Sequence, residues 1–121
     1  MAYLNDDVYD AALDEVKDNA NALYITSQEA TTRTEAVTTY ALGTKASPGF
    51  TGPAAGDVSG RKITVDAISD GSVTGTDTAT HWALVDGSRL LATGELTSSQ
   101  AVTSGNTFTL TAFDIEFPDA T

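Results

Sequence analysis

The 121-residue chain contains no cysteine. That excludes disulfides, thiolate nucleophiles and cysteine-based zinc sites, and makes stability independent of the redox compartment. His81 is the single histidine, so a multi-histidine metal centre is excluded. No G-x-S-x-G nucleophile elbow is present to give it a serine partner. Basic residues are few, 6 Lys and Arg against 17 Asp and Glu, and the formal net charge of -11 argues against nucleic acid or an anionic membrane as partner. No stretch approaches the ~18 apolar residues of a membrane span. The start, Met1-Ala2-Tyr3-Leu4-Asn5-Asp6-Asp7, lacks the basic and apolar segments of a signal peptide. The expectation is a soluble chain made in the cytoplasm. No glycine pattern leads into a helix carrying Lys and Ser/Thr, so no phosphate cradle is expected, and no cofactor.

What is present reads as one domain, residues 1–121, long enough to bury roughly two-thirds of its unfolded surface. Asn5 or Asp6 suits an N-cap, and Tyr9, Ala12, Leu13, Val16 and Ala20 form one stripe at helical spacing, which predicts an α-helix over 6–19. Residues 22–117 are expected to be β-rich. Ala22 to Ser27 alternates as a first strand, Thr34 to Val37 suits a helical turn, and Thr38 to Leu42 reads as a brief strand. Residues 43–60 hold two prolines and five glycines, which predicts a long loop, with Phe50 as an anchor on this domain or a neighbour. Arg61 to Ser69 alternates with Ile63, Val65 and Ala67 inward. Ser69-Asp70-Gly71-Ser72 reads as a turn.

Residues 79–96 predict a β-hairpin about a type I′ turn at Asp86-Gly87. Trp82, Leu84 and Leu91 are expected on one face, and Ala83, Val85, Leu90 and Ala92 on the other, so both faces need cover. The stripe of Tyr9, Leu13 and Val16 and an opposing sheet holding Ile63, Val65, Phe108 and Leu110 are the candidates. Thr97-Ser98-Ser99 reads as a turn, and Thr107 to Phe117 as one strand whose apolar face switches between Ala112 and Phe113. Either a bulge near Ala112 and Phe113 swaps the faces, or the end of the strand leaves its own solvent face and is covered by another element. These elements define a mainly β fold, an antiparallel β-sandwich of about seven short strands with one N-terminal helix.

Catalytic and metal chemistry has little to work with. Asp66, Asp70 and Asp77 lie in oxygen-rich segments but lack the spaced ligands and closing glutamate of a calcium loop. Glu95 and Glu116 fall on strands, with no second group converging on them as paired carboxylates require. The acidic helix face is expected to be a solvated side.

The segments NDDVYDAALDEVKDNANALYITSQEATT, TYALGTK and GRKITVDAISDGSVTGTDTATHWALVDGSRLLATGELTSSQAVTSGNTFTLTAFDIEFPD resemble a group of small virion-associated proteins of tailed bacteriophages and prophages. The resemblance covers nearly all of the chain outside parts of 43–60, and its motifs are structural. It implies a non-enzymatic virion protein at the capsid surface, of the decoration or cement type, with no cofactor. The major capsid protein and copies of itself, as a homotrimer, are the expected partners. Trp82, Leu84, Leu91, Phe50, Phe113, Ile115 and Phe117 are the expected contact residues, because apolar patches repeated in every copy favour symmetric association. Two rivals are a tail- or fibre-associated adhesin module for a host-surface glycan and a small cell-wall hydrolase using an acid or His81 in a cleft.

Overall fold

A computed structural model describes residues 5–56 and 60–117. Helix α1, Asp6–Asn19, has the expected bounds. The Asn5 side chain accepts a hydrogen bond from the Asp7 amide at 2.7 Å, satisfying one of the open donors of the first turn. Tyr9 and Leu13 are buried and Val16 half-buried, but Ala12 is exposed, so the buried stripe is narrower than the sequence spacing indicates.

The described strands are β1 (Ala22–Thr26), β2 (Ala41–Ala46), β3 (Phe50–Ala55), β4 (Arg61–Val65), β5 (Ile68–Val73), β6 (Asp77–Val85), β7 (Leu90–Val102), β8 (Thr107–Leu110) and β9 (Phe113–Phe117). All recorded pairings are antiparallel. The strands form a six-stranded sheet, ordered β7-β6-β1-β2-β5-β8, and a three-stranded sheet, ordered β3-β4-β9. The mainly β class with one N-terminal helix is as expected. The strand number is higher because three stretches divide or extend differently.

First, residues 43–60 are not one loop. They contain most of β2 and all of β3, joined through Ser47, the buried Pro48 and Gly49. Pro53 sits in the edge strand β3, where a missing N–H costs no ladder bond.

Second, Ser69 to Ser72 is strand rather than turn. Gly71 pairs with Phe108, and a Cβ at Gly71 would come within 2.2 Å of the Phe108 ring; one at Gly43, on the next strand, would come within 3.1 Å. The glycine serves a buried aromatic lying flat across its neighbours, and Asp-Gly here signals packing, not reversal.

Third, Thr107 to Phe117 is two strands. Val65 pairs with Phe113 in the small sheet, and Ile68 pairs with Leu110 in the large one. A single antiparallel ribbon therefore folds over a corner at residues 66–67 and 111–112 and contributes to both sheets. Across the corner the inward residues are three apart on each strand, Val65 to Ile68 and Leu110 to Phe113, so the two non-strand residues at each bend shift the parity between Phe108/Leu110 and Phe113/Ile115. Ala67, expected inward, is exposed at that corner.

The hairpin is β6–β7, and Leu91 is not on the Trp82 and Leu84 face where it is expected. Val85 pairs with Leu90, Leu84 with Ala92 and Trp82 with Gly94, so Leu91 is an inserted bulge residue and Ala92 takes its place beside Leu84. Neither Asp86 nor Gly87 has positive φ, so the type I′ turn is not formed. Instead the Asp86 carboxylate accepts from the Ser88 and Arg89 amides at 2.8 and 2.6 Å, an Asx-type closure.

Both hairpin faces are covered. Trp82 and Leu84 join Leu23, Ile25, Val65, Phe108 and Leu110 in the main core, with Val16, Ala20, Phe50, Phe113 and Ile115 packed against it. Helix and small sheet thus share one side. The other side, Ala83 and Val85, is covered by the 27–40 segment through Ala30, Ala36, Val37 and Tyr40. The helical turn expected at Thr34 to Val37 is a π-helical turn, Glu35–Thr39, closed by the Tyr40 amide donating to the Glu35 carbonyl at 2.8 Å.

The polar side of α1 does more than meet solvent. It lies against β4 and β3, where Arg61 Nε donates to Asp10 at 2.8 Å and Lys17 Nζ donates to the Gly52 carbonyl at 2.9 Å.

Candidate ligand cleft where the sheet edges meet

Strands β7 and β8 are the two edges of the six-stranded sheet, yet the sheet curls until they approach. Glycines under aromatic rings permit the curl. A Cβ at Gly94 would come within 2.7 Å of the Trp82 indole, so Trp82 occupies the space its cross-strand partner leaves. Phe108 does the same over Gly71 near the other edge. Gln100 Nε2 then donates to the Thr109 carbonyl at 2.7 Å and ties edge to edge.

Beside this tie lies a cleft of about 350 Å³. Its floor is Trp82, Leu110 and Phe113, with the Trp82 and Phe113 rings 4.7 Å apart and inclined at 38°. The β7 wall is shaped by a wide irregularity. His81 pairs with Glu95 and Ala79 with Gln100, so residues 96–99 all stand opposite Thr80. The stretch read as a turn from sequence is this bulge inside one continuous strand. It places Glu95, Leu96, Thr97, Ser98 and Gln100 along one wall, and Thr109 and Thr111 along the other. Bulges that re-aim side chains are common beside binding sites.

The cleft offers hydroxyls, one amide and one carboxylate above an aromatic base. No basic side chain lines it. The six basic residues of the sequence are committed elsewhere: Lys17 to the Gly52 carbonyl, Arg33 to the Asp86 carbonyl, Lys45 to Asp70, Arg61 to Asp10, Lys62 to Asp114, and Arg89 to Asp86 and Glu15.

The groups with shifted titration lie at structural joints. Hydrogen bonds from the Ser88 amide and the Arg89 guanidinium lower the Asp86 carboxyl to about 2, and Asp86 in turn raises Arg89. Hydrogen bonding to Asp10 raises Arg61 where the helix docks. The Thr31 hydroxyl and amide lower Glu35 at the π-helical turn, and the nearby Glu35 charge raises Tyr40.

The residues singled out from sequence fare unevenly. Trp82 (8 % exposed) and Leu84 (0 %) are interior to the monomer, and apart from the small part of Trp82 that lines the cleft they present no contact surface. Phe50, Phe113 and Ile115 are half-buried on that core, and Leu91 is a half-buried bulge residue. The Phe117 side chain lies outside the described residues. His81 Nδ1 sits 2.8 Å from the Thr80 hydroxyl. Asp66, Asp70 and Asp77 do not converge: Asp66 accepts from the Thr51 hydroxyl, Asp70 pairs with Lys45, and Asp77 accepts from the Thr78 amide. Among the described residues no group of three or more His, Asp or Glu is placed to share a metal ion. Gln100, Thr109 and Thr111 carried no signal in the sequence, because their meeting depends on the sheet's curl.

Comparison with protein-family models, curated proteins and solved structures finds no match to this chain.

Proposed function

We propose that this chain is a non-enzymatic structural protein of a tailed-phage virion, a capsid decoration or cement domain seated on the major capsid protein. The resemblance in its sequence motivates the assignment, and one structural observation supports it best. The domain consumes its own adhesive residues: the apolar hairpin is enclosed, the six cations are tied internally, and Val8 is the one large hydrophobic exposed among the described residues. A domain that must exist free before it is added to a finished shell needs that self-sufficiency. What it presents outward is an acidic, hydroxyl-rich surface with open strand edges, and an open edge is a ready docking element.

Self-association as a homotrimer belongs to the same proposal, with a changed contact. Trp82 and Leu84 are spent in the core. Among the described residues, the half-buried Phe50 on the edge strand β3, Phe113 and Ile115 on the edge strand β9, and Leu91 are what remains of the expected interface.

The test is re-addition of purified protein to heads produced without it. Co-sedimentation with the heads, and an increase in the temperature at which they release DNA, is the expected result. Heads that neither bind the protein nor gain stability overturn the assignment. If deletion instead abolishes adsorption to host cells while head stability is unchanged, the tail- or fibre-borne adhesin replaces it. The aromatic-floored cleft is the observation that favours that second reading.

A further inference from the structure

The cleft between β7 and β8 has the chemistry of a small-ligand site irrespective of where the protein sits in a particle. We propose that it binds a neutral pyranose, as a free glycoside or as the terminal sugar of a surface glycan.

The C–H face of a sugar is covered best by aromatic carbon; the half-buried Phe113 ring supplies that surface, and Trp82, 8 % exposed and 4.7 Å from it by ring centroid, backs it and adds only its small exposed fraction. Gly94 is what lets the indole reach this position, since a Cβ there would meet its Cζ2, Cε2 and Nε1 atoms at 2.7–2.9 Å.

The walls fit the rest of a sugar. Its hydroxyls each donate and accept, so they need a mixed set of partners, and Glu95, Thr97, Ser98, Gln100 and Thr111 provide acceptors and donors in one rim. Elsewhere the threonine hydroxyls of Thr26, Thr51, Thr64 and Thr80 are spent on internal hydrogen bonds. Those of Thr97 and Thr111 make no side-chain bond to a described residue. The Gln100 amide is held across the cleft by its bond to the Thr109 carbonyl, so its placement is fixed before a ligand arrives.

Size and charge narrow the class. A cleft of about 350 Å³ lies at the low end of ligand sites, roughly 300–1,000 Å³, and suits one or two sugar rings rather than a long chain. With no basic side chain in the lining and a net charge of -11, a carboxylated or sulfated sugar would enter against like charge.

Trp82 is the only tryptophan in the chain, so its emission reports on the cleft directly. The experiment titrates the intact protein with the methyl glycosides of glucose, galactose, mannose and N-acetylglucosamine, and with glucuronic and N-acetylneuraminic acids as anionic counterparts. Backbone amide shifts are recorded in parallel. The expected result is a saturable change with at least one neutral sugar, half-complete at about 1 mM, an affinity ordinary for a single small ligand. Amide shifts should centre on residues 95–100 and 109–113, and binding of the two acids should be at least about fivefold weaker. Gln100→Ala should weaken binding about fivefold or more while the melting temperature stays within a few degrees. Silence of both readouts at about 50 mM of every neutral sugar, shifts centred elsewhere, equal binding of the acids, or undiminished binding by a folded Gln100→Ala variant would each overturn the proposal. A neutral-sugar site is also what the adhesin reading expects, so head binding, not sugar binding, decides the capsid assignment.

Discussion

The Gln100 side-chain amide donates to the Thr109 main-chain carbonyl at 2.7 Å, joining the two strands that stand at opposite ends of the six-stranded sheet. A side chain thus substitutes for the strand-to-strand ladder that would close the sheet into a barrel. The gap so created is the cleft, floored by the same aromatic pair that seals the core. Fold and candidate site therefore share residues.

Trp82→Ala removes a ring that is 8 % exposed and packed on Phe113. A loss of roughly 3–5 kcal/mol is expected for truncating a buried aromatic, a large share of the 5–15 kcal/mol typical of a domain. Urea denaturation of the monomer should show it. Dissociation of an assembly with monomer stability intact would mean the ring serves an interface instead.

Gly71→Ala places a methyl within 2.2 Å of the Phe108 ring. Overpacking of this kind costs about 1–3 kcal/mol, and the melting temperature should fall by roughly 5–15 °C. The double variant with Phe108→Leu should lose less than the sum of the two single changes, because the clash is between these two groups. Strict additivity in a thermal-melt cycle would contradict the packing described.

Gly94→Ala tests the other glycine beneath an aromatic. Its methyl would lie 2.7 Å from the indole, so the emission of Trp82 should shift as the ring is displaced. An unchanged spectrum in a folded variant would show that the indole does not rest on Gly94.

Asp86 gives a pH signature at the hairpin tip. Its carboxyl is lowered to about 2 by donors from Ser88 and Arg89, whereas an unfolded aspartate titrates near ~3.9. The unfolded state therefore takes up the proton first. The contribution of Asp86 is complete above about pH 4 and is lost as pH falls toward 2. Asp86→Asn should be less stable at neutral pH, and its urea midpoint should fall less steeply between about pH 4 and pH 2 than that of the parent protein. Parallel pH profiles would refute the role assigned to this carboxylate.

How far the sequence discloses this architecture depends on the distance over which each element is specified. Helix α1 is legible to the residue because its cap, stripe and acidic first turn are all local. The hairpin at Asp86-Gly87 is legible in place but not in register, since the bulge at Leu91 has no local marker. The switch of face near Phe113 is visible in the sequence as a conflict. Its cause, a ribbon shared by two sheets, is written in the partner residues Val65 and Ile68 rather than in the strand itself. Asp70-Gly71 misleads because a glycine under Phe108 and a glycine in a turn look alike in sequence. The cleft is the least legible part. Residues 95–100 and 109–113 belong to separate strands, brought together by curvature that Gly94 and Gly71 allow.

The proposed place of this domain in the virion shell is tested by imaging intact particles that carry a labelled antibody against the protein. Label distributed over the head at regular surface positions is the predicted result; label confined to the tail or fibres, or absent from particles, would contradict it.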